Sequence, residues 1–155
     1  MSVSGGRERL VVAVSANGVR SPVAVARLAD AARLTLRAEG VRDAMLSIAL
    51  VGNARIAAMN ARHLRHRGPT DVIAFGFIRD RRAAVVADIY IAPDVARANA
   101  RRHGVGVREE VVRLVVHGVL HVLGYVHPAG ESRERSAMWR RQEALLARAL
   151  RSTAA

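Results

Sequence analysis

Apolar and small residues run together from Leu10 to Ser15 and stop at Asn17-Gly18, a turn pair, so the chain opens on a predicted β-strand over residues 10–15. Over residues 22–39 the period changes. Leu28, Ala31, Ala32 and Leu36 fall three and four apart, with Pro22 near the start and Gly40 past the end, which predicts a helix. "AMLSIALV", 44–51, returns to strand character, and Asn53 can cap a short helix to about His63 that carries Ile56, Met59 and Asn60. Gly68-Pro69 interrupts the chain before "TDVIAF", a predicted strand, and "AVVADIYI", 84–91, is another. Helices are expected over 93–103, closed by Gly104, over 107–123 and over 131–150. Strands and helices alternate early and helices dominate late. This is the pattern of an α+β fold, a small mixed sheet of about four strands packed by helices.

With 155 residues, no internal repeat and no linker, the chain reads as one domain, with its ends, 1–9 and 151–155, expected to be flexible. An apolar share of 51% excludes an intrinsically disordered chain. No apolar run approaches the roughly 20 residues of a membrane span. Arg7 and Arg9 ahead of "LVVAVSANG" imitate a signal peptide, but the apolar run is short and ends in a turn, so a strand and a cytoplasmic location are expected. The sequence holds no cysteine, which excludes disulfides and thiolate ligands.

Charge adds a partner. The formal net charge of +12 favours a polyanion, because clustered guanidinium groups neutralise phosphates and release counterions. All 25 basic residues are arginine, in a chain rich in Ala and Val, so the choice of Arg over Lys reflects composition as much as phosphate recognition. Aromatic residues make up only 3%, which argues against an RNA binder that stacks bases on a sheet.

The chemistry concentrates in "HGVLHVLGYVH", 117–127, which holds three of the six histidines. His117 and His121, four apart on a predicted helix, share one face about 6 Å apart. His127, six further on, would sit about 240° away on a continued helix. Gly124 is placed to end the helix and let the chain fold back, so that three imidazoles converge on one ion and leave a fourth tetrahedral position open. The alternative is three unrelated histidines in a packed helix; the spacing together with the glycine favours zinc. His63, His66 and His103 read as surface groups. Metalloproteases with this spacing carry a Glu after the first ligand, and here that residue is Gly118, which excludes their general base. A zinc site in a basic protein suits phosphodiesters better than peptides.

The motif, preceded by "EEVVRLVV", together with "MNARHLRHRGPTDVIAFGF" and "VADIYIAPDVA", resembles the YbeY family of bacterial endoribonucleases and rRNA maturation factors over about residues 10–150. The resemblance implies the α+β fold, and one zinc per chain on His117, His121 and His127. It also implies a single-strand-specific endoribonuclease that matures the 3′ end of 16S small-subunit rRNA and serves ribosome quality control. The implied partners are single-stranded RNA, the small ribosomal subunit and its assembly factors. Four positions depart from the family pattern. His63 and Leu64 stand where the family has an aromatic residue and a phosphate-binding arginine, Ala87 where it has glycine, and Val126 where it has aspartate. Arg65, the next residue, is the expected substitute for the arginine if it faces the cleft, with Arg62 and Arg67 as other candidates and an ordinary solvated face as the alternative reading. Asp71 and Asp88 match motif positions and are expected to orient ligand imidazoles, with an ordinary turn or strand role as the alternative for each. Two other readings stay open: a ribosome-assembly RNA-binding factor with a structural zinc, and a metal-dependent hydrolase of another substrate.

Overall fold

The computed structural model describes residues 6–77, 84–126 and 136–152. These form strands β1 (Arg9–Ala16), β2 (Asp43–Leu50), β3 (Val72–Gly76) and β4 (Val85–Ile91), and helices α1 (Val25–Ala38), α2 (Asn53–Leu64), α3 (Pro93–His103), α4 (Val107–Val122) and α5 (Ala137–Ser152). The α+β class and the four-stranded mixed sheet are as expected from the sequence. Of the ends expected to be flexible, Arg9 opens β1 and Arg151 and Ser152 close α5, while 1–5 and 153–155 lie outside the described residues. Residues 131–135, expected as the start of the last helix, also lie outside them. α2 starts at Asn53 without a side-chain cap, its N-cap being Gly52. Among the described residues no helix is long and apolar enough to cross a membrane.

The sheet order is β1-β2-β4-β3. β1, β2 and β4 are parallel, which requires crossovers, supplied by α1 and by the α2–β3 segment. β3 runs antiparallel on the edge, Val72 opposite Ile91 and Gly76 opposite Ala87. Alternation along the strands then sorts the faces. Ala44, Leu46 and Ile48 of β2 and Val85, Ala87, Ile89 and Ile91 of β4 join Leu28, Ala32 and Leu36 of α1 and Val111, Val115 and Val119 of α4 in the main core. Ala49, Val51, Ile56, Ile73 and Ala92 form a second cluster that seats α2 on the opposite face. Val116 and Leu120 meet Met138 and Leu145, which docks α5 on α4.

α4 is thus covered on two sides, by the sheet and by α5. From Val111 to His121 only Arg113, His117 and His121 escape full burial, and they stand four apart in one stripe. Gly118 lies on the sheet side, where an added Cβ would come within 3.0 Å of Ile89 Cγ2 and 3.3 Å of its Cδ1. The glycine lets the helix approach β4, and a Glu in its place would point into the core, so the position cannot hold a general base. Gly118→Ala is expected to destabilise the fold by about 1–3 kcal/mol through overpacking, even though alanine is the better helix former. Urea denaturation checks this; an alanine variant as stable as the parent would mean that Ile89 repacks freely.

Candidate functional site

The His117 and His121 rings lie almost parallel, 2° apart in plane, with centroids separated by 6.5 Å. His117 is half-buried and His121 exposed. The helix ends as the glycine demands. Gly124, at φ +103°, donates its N–H to the His121 carbonyl at 3.0 Å, and Tyr125 donates to the Leu120 carbonyl at 3.1 Å, the paired bonds of a left-handed glycine cap. The chain leaving α4 is then pinned. The Tyr125 hydroxyl donates to Glu39 Oε2 at 3.0 Å, Arg141 Nε donates to Glu39 Oε1 at 2.6 Å, and Arg141 Nη2 reaches the Ala38 carbonyl at 3.1 Å. Burial, aided by the bond to Glu39, raises the Tyr125 phenol above its ordinary pKa, so it remains a donor throughout the neutral range. His127, two residues beyond, lies outside the described residues.

Two recesses meet at His117. A groove of about 200 Å³ runs between α4 and the edge strand, lined by Leu64, Val72, Ile73 and Ala74 with His117, Gly118 and His121. A larger cavity of about 440 Å³ opens on the other side of the ring, where Asp71, Asn99, His103, Arg113, Trp139 and Gln142 form much of the wall.

The expected site residues divide accordingly. Leu64 stands in the groove with the two histidines and is 45% exposed. Arg65 lies beyond the last turn of α2, exposed, with a left-handed backbone at φ 55°, and lines neither recess. Arg62 and Arg67 are exposed on either side of it. Asp71 shares the larger cavity with His117, and its carboxylate accepts from Asn99 Nδ2 at 3.1 Å, with no hydrogen bond to an imidazole among the described residues. Asn99 in turn accepts a hydrogen bond from Arg102. Asp88 is not brought to His117 or His121. It alternates with Ala87 and Ile89, which face α4, so it projects from the other face, paired in register with Ser47 and Phe75. His63 packs edge-on against Phe75 at 5.3 Å, and His66 and His103 are exposed.

The partner that sequence reasoning missed is Gln142. Its Oε1 lies 2.8 Å from His117 Nδ1, in the place expected of an aspartate. A signal existed: on α5 the buried positions Met138, Gln142, Leu145, Leu146 and Ala149 form an apolar stripe with one polar member.

Neutral imidazoles are donors that zinc accepts, and the His117–His121 pair offers two on one helix face. Among the described residues no group of three His, Asp or Glu side chains is placed to hold a metal.

A four-stranded mixed sheet with a histidine-bearing helix beside its edge strand defines a small α+β domain with an H-x-x-x-H groove. Residues 19–150 match the model of the family described as Endoribonuclease YbeY, and the chain belongs to that family. It is 35% identical over 136 residues to the Endoribonuclease YbeY of Frankia alni, covering 76% of this chain and 74% of that protein. The protein of the same name from Chlorobaculum parvum is 34% identical over 132 residues, covering 85% and 91%. The solution structure of TM1509 from Thermotoga maritima superposes with a TM-score of 0.59 over 93% of this chain and 94% of that one, at 22% identity, which shows the shared fold. By their names, the sequence relatives are endoribonucleases, nucleases that cut RNA internally.

Proposed function

We propose that this protein is a zinc-dependent endoribonuclease, specific for single strands, that acts in 3′-end maturation of 16S rRNA and in ribosome quality control. Family membership carries the endoribonuclease reading. On this reading the partners are single-stranded RNA, the small ribosomal subunit and its assembly factors, and the setting is the cytoplasm.

The ligands for one zinc per chain are His117, His121 and His127, the first two side by side on the groove wall. When bound there, zinc supplies a Lewis acid for a phosphoryl oxygen and lowers the pKa of a water molecule. Arg62, Arg65 and Arg67 lie close to Leu64 in sequence, exposed and without an ion-pair partner among the described residues, which leaves their guanidinium groups available to phosphates. Asp71, held by Asn99, adds a fixed carboxylate on the far side of His117.

An RNA cleavage assay with metal-replete and metal-stripped protein, with the product ends analysed, tests the reading. Loss of turnover on stripping with an unchanged melting curve supports a catalytic ion; unfolding on stripping would point instead to a structural one. Binding of single-stranded RNA is expected to weaken steeply with salt and to change little with base sequence, because arginines meeting the backbone far outnumber aromatic side chains able to read bases. Titrations at several ionic strengths check this, and an affinity independent of salt would remove the electrostatic groove.

A further inference from the structure

His117 is held by a chain of side chains in which each member has one possible role. Arg113 can only donate. It grips Glu143 with two bonds, Nε to Oε2 at 3.0 Å and Nη2 to Oε1 at 3.1 Å, and reaches back along α4 to Glu110 at 2.8 Å and Glu109 at 3.4 Å. Glu143, so gripped, is a carboxylate that can only accept. Gln142 Nε2 donates to Glu143 Oε2 at 3.2 Å, which turns the oxygen end of the amide toward the imidazole. Because that oxygen can only accept, the 2.8 Å contact requires a proton on His117 Nδ1. Gln142 is 2% exposed, so little water competes for its bond to the imidazole, while Glu143, 32% exposed at its side chain, keeps its place through the two-point grip of Arg113. Arg113 keeps its charge. Burial opposes it, but the bonds to Glu143 and the proximity of Glu143 and Glu110 outweigh that and hold its pKa above the ordinary value.

We infer that Gln142 is a positioning residue for His117, fixing the ring as the Nδ1–H tautomer so that its lone pair is carried on Nε2. A histidine in water favours the opposite, Nε2–H form, so the relay from Arg113 through Glu143 reverses the intrinsic preference and pre-sets the ring as an Nε2 ligand. A ligand imidazole whose second nitrogen donates to an oxygen is the arrangement that raises metal affinity, here with a buried amide in the role more often taken by a carboxylate. Only the zinc readout below rests on the metal reading; the tautomer does not.

The test is long-range ¹H–¹⁵N NMR of the metal-free full chain at a pH where the ring is neutral, with zinc affinity measured in parallel by competition against a chelating indicator. In the parent, His117 is expected to show a protonated Nδ1 and an unprotonated Nε2. Gln142→Met keeps the bulk and removes the acceptor; it should give a mixture of tautomers and bind zinc about 10–100-fold more weakly. Gln142→Glu restores an acceptor and should recover the Nδ1–H form and most of the affinity. A parent ring in the Nε2–H form overturns the inference without any variant, which covers the case in which Gln142→Met does not fold. An unchanged tautomer in a folded Gln142→Met overturns it too. A parent with Nδ1–H that binds no zinc would sink the metal reading and leave the positioning role standing.

Discussion

His121→Ala is expected to abolish zinc binding and lower RNA cleavage by more than about a hundredfold. The estimate follows from position. Changing a group that merely orients a ligand imidazole costs about 10–100-fold in metal affinity or activity, and losing a ligand exceeds that, since two imidazoles seldom hold zinc tightly. The fold should survive. His121 is exposed at the last turn of α4, while its neighbours Val119 and Leu120 carry the packing, so its loss lies within the roughly 0.5 kcal/mol of a surface substitution. His103→Ala is the matched control, an exposed histidine at the end of α3 that is expected to leave zinc content unchanged. Elemental analysis of the purified variants decides: about one zinc per chain in His121→Ala, as in the parent, would remove the site.

The elements of this fold were legible because their periods are unambiguous. Leu28, Ala32 and Leu36 mark one helix face, and the alternation of Val85, Ala87, Ile89 and Ile91 marks one strand face. Gly124 was equally legible as a helix stop, since a residue at φ +103° is costly for any side chain. What periodicity does not contain is which element covers which face. Asp88 shows this. Its neighbours Ala87 and Ile89 already placed it on the opposite side of β4, but only the packing of α4 beneath Ile89 reveals that this side faces away from His117 and His121. Gly118 shows the converse. Read along the chain it is a missing general base, whereas in the fold it is the point of closest approach between helix and sheet. Gln142 was hidden for a third reason. It lies 25 residues from His117, and its role depends on the docking of α5, which brings Glu143 against Arg113. His117 and His121, four apart, were legible as sharing one helix face, but nothing local to them pointed to Arg113 one turn earlier or to the partner helix.

The position of Leu64 turns the departure from the family arginine into the sharpest test of the groove. Leu64 lines the same wall space as His117 and His121 and is 45% exposed, so an arginine there can extend into the groove without displacing the core. Arg65 starts from a less favourable place, past the helix end, outside the groove lining and on a left-handed backbone. A charge-assisted hydrogen bond to phosphate is worth about 1.5–3 kcal/mol, which corresponds to about ten- to a hundredfold in rate if it acts in the transition state. Leu64→Arg is therefore expected to raise ribonuclease activity by about that factor with little change in melting temperature. If Arg65 already supplies the contact by reaching back over the groove mouth, Arg65→Ala should instead lower the rate by a similar factor, and Leu64→Arg should add little. Cleavage rates of both variants on one single-stranded RNA, with folding followed by thermal melting, separate the two outcomes. Parent-like rates and melting in both would mean that neither Leu64 nor Arg65 contacts the phosphate, and that the family arginine has no counterpart at the end of α2.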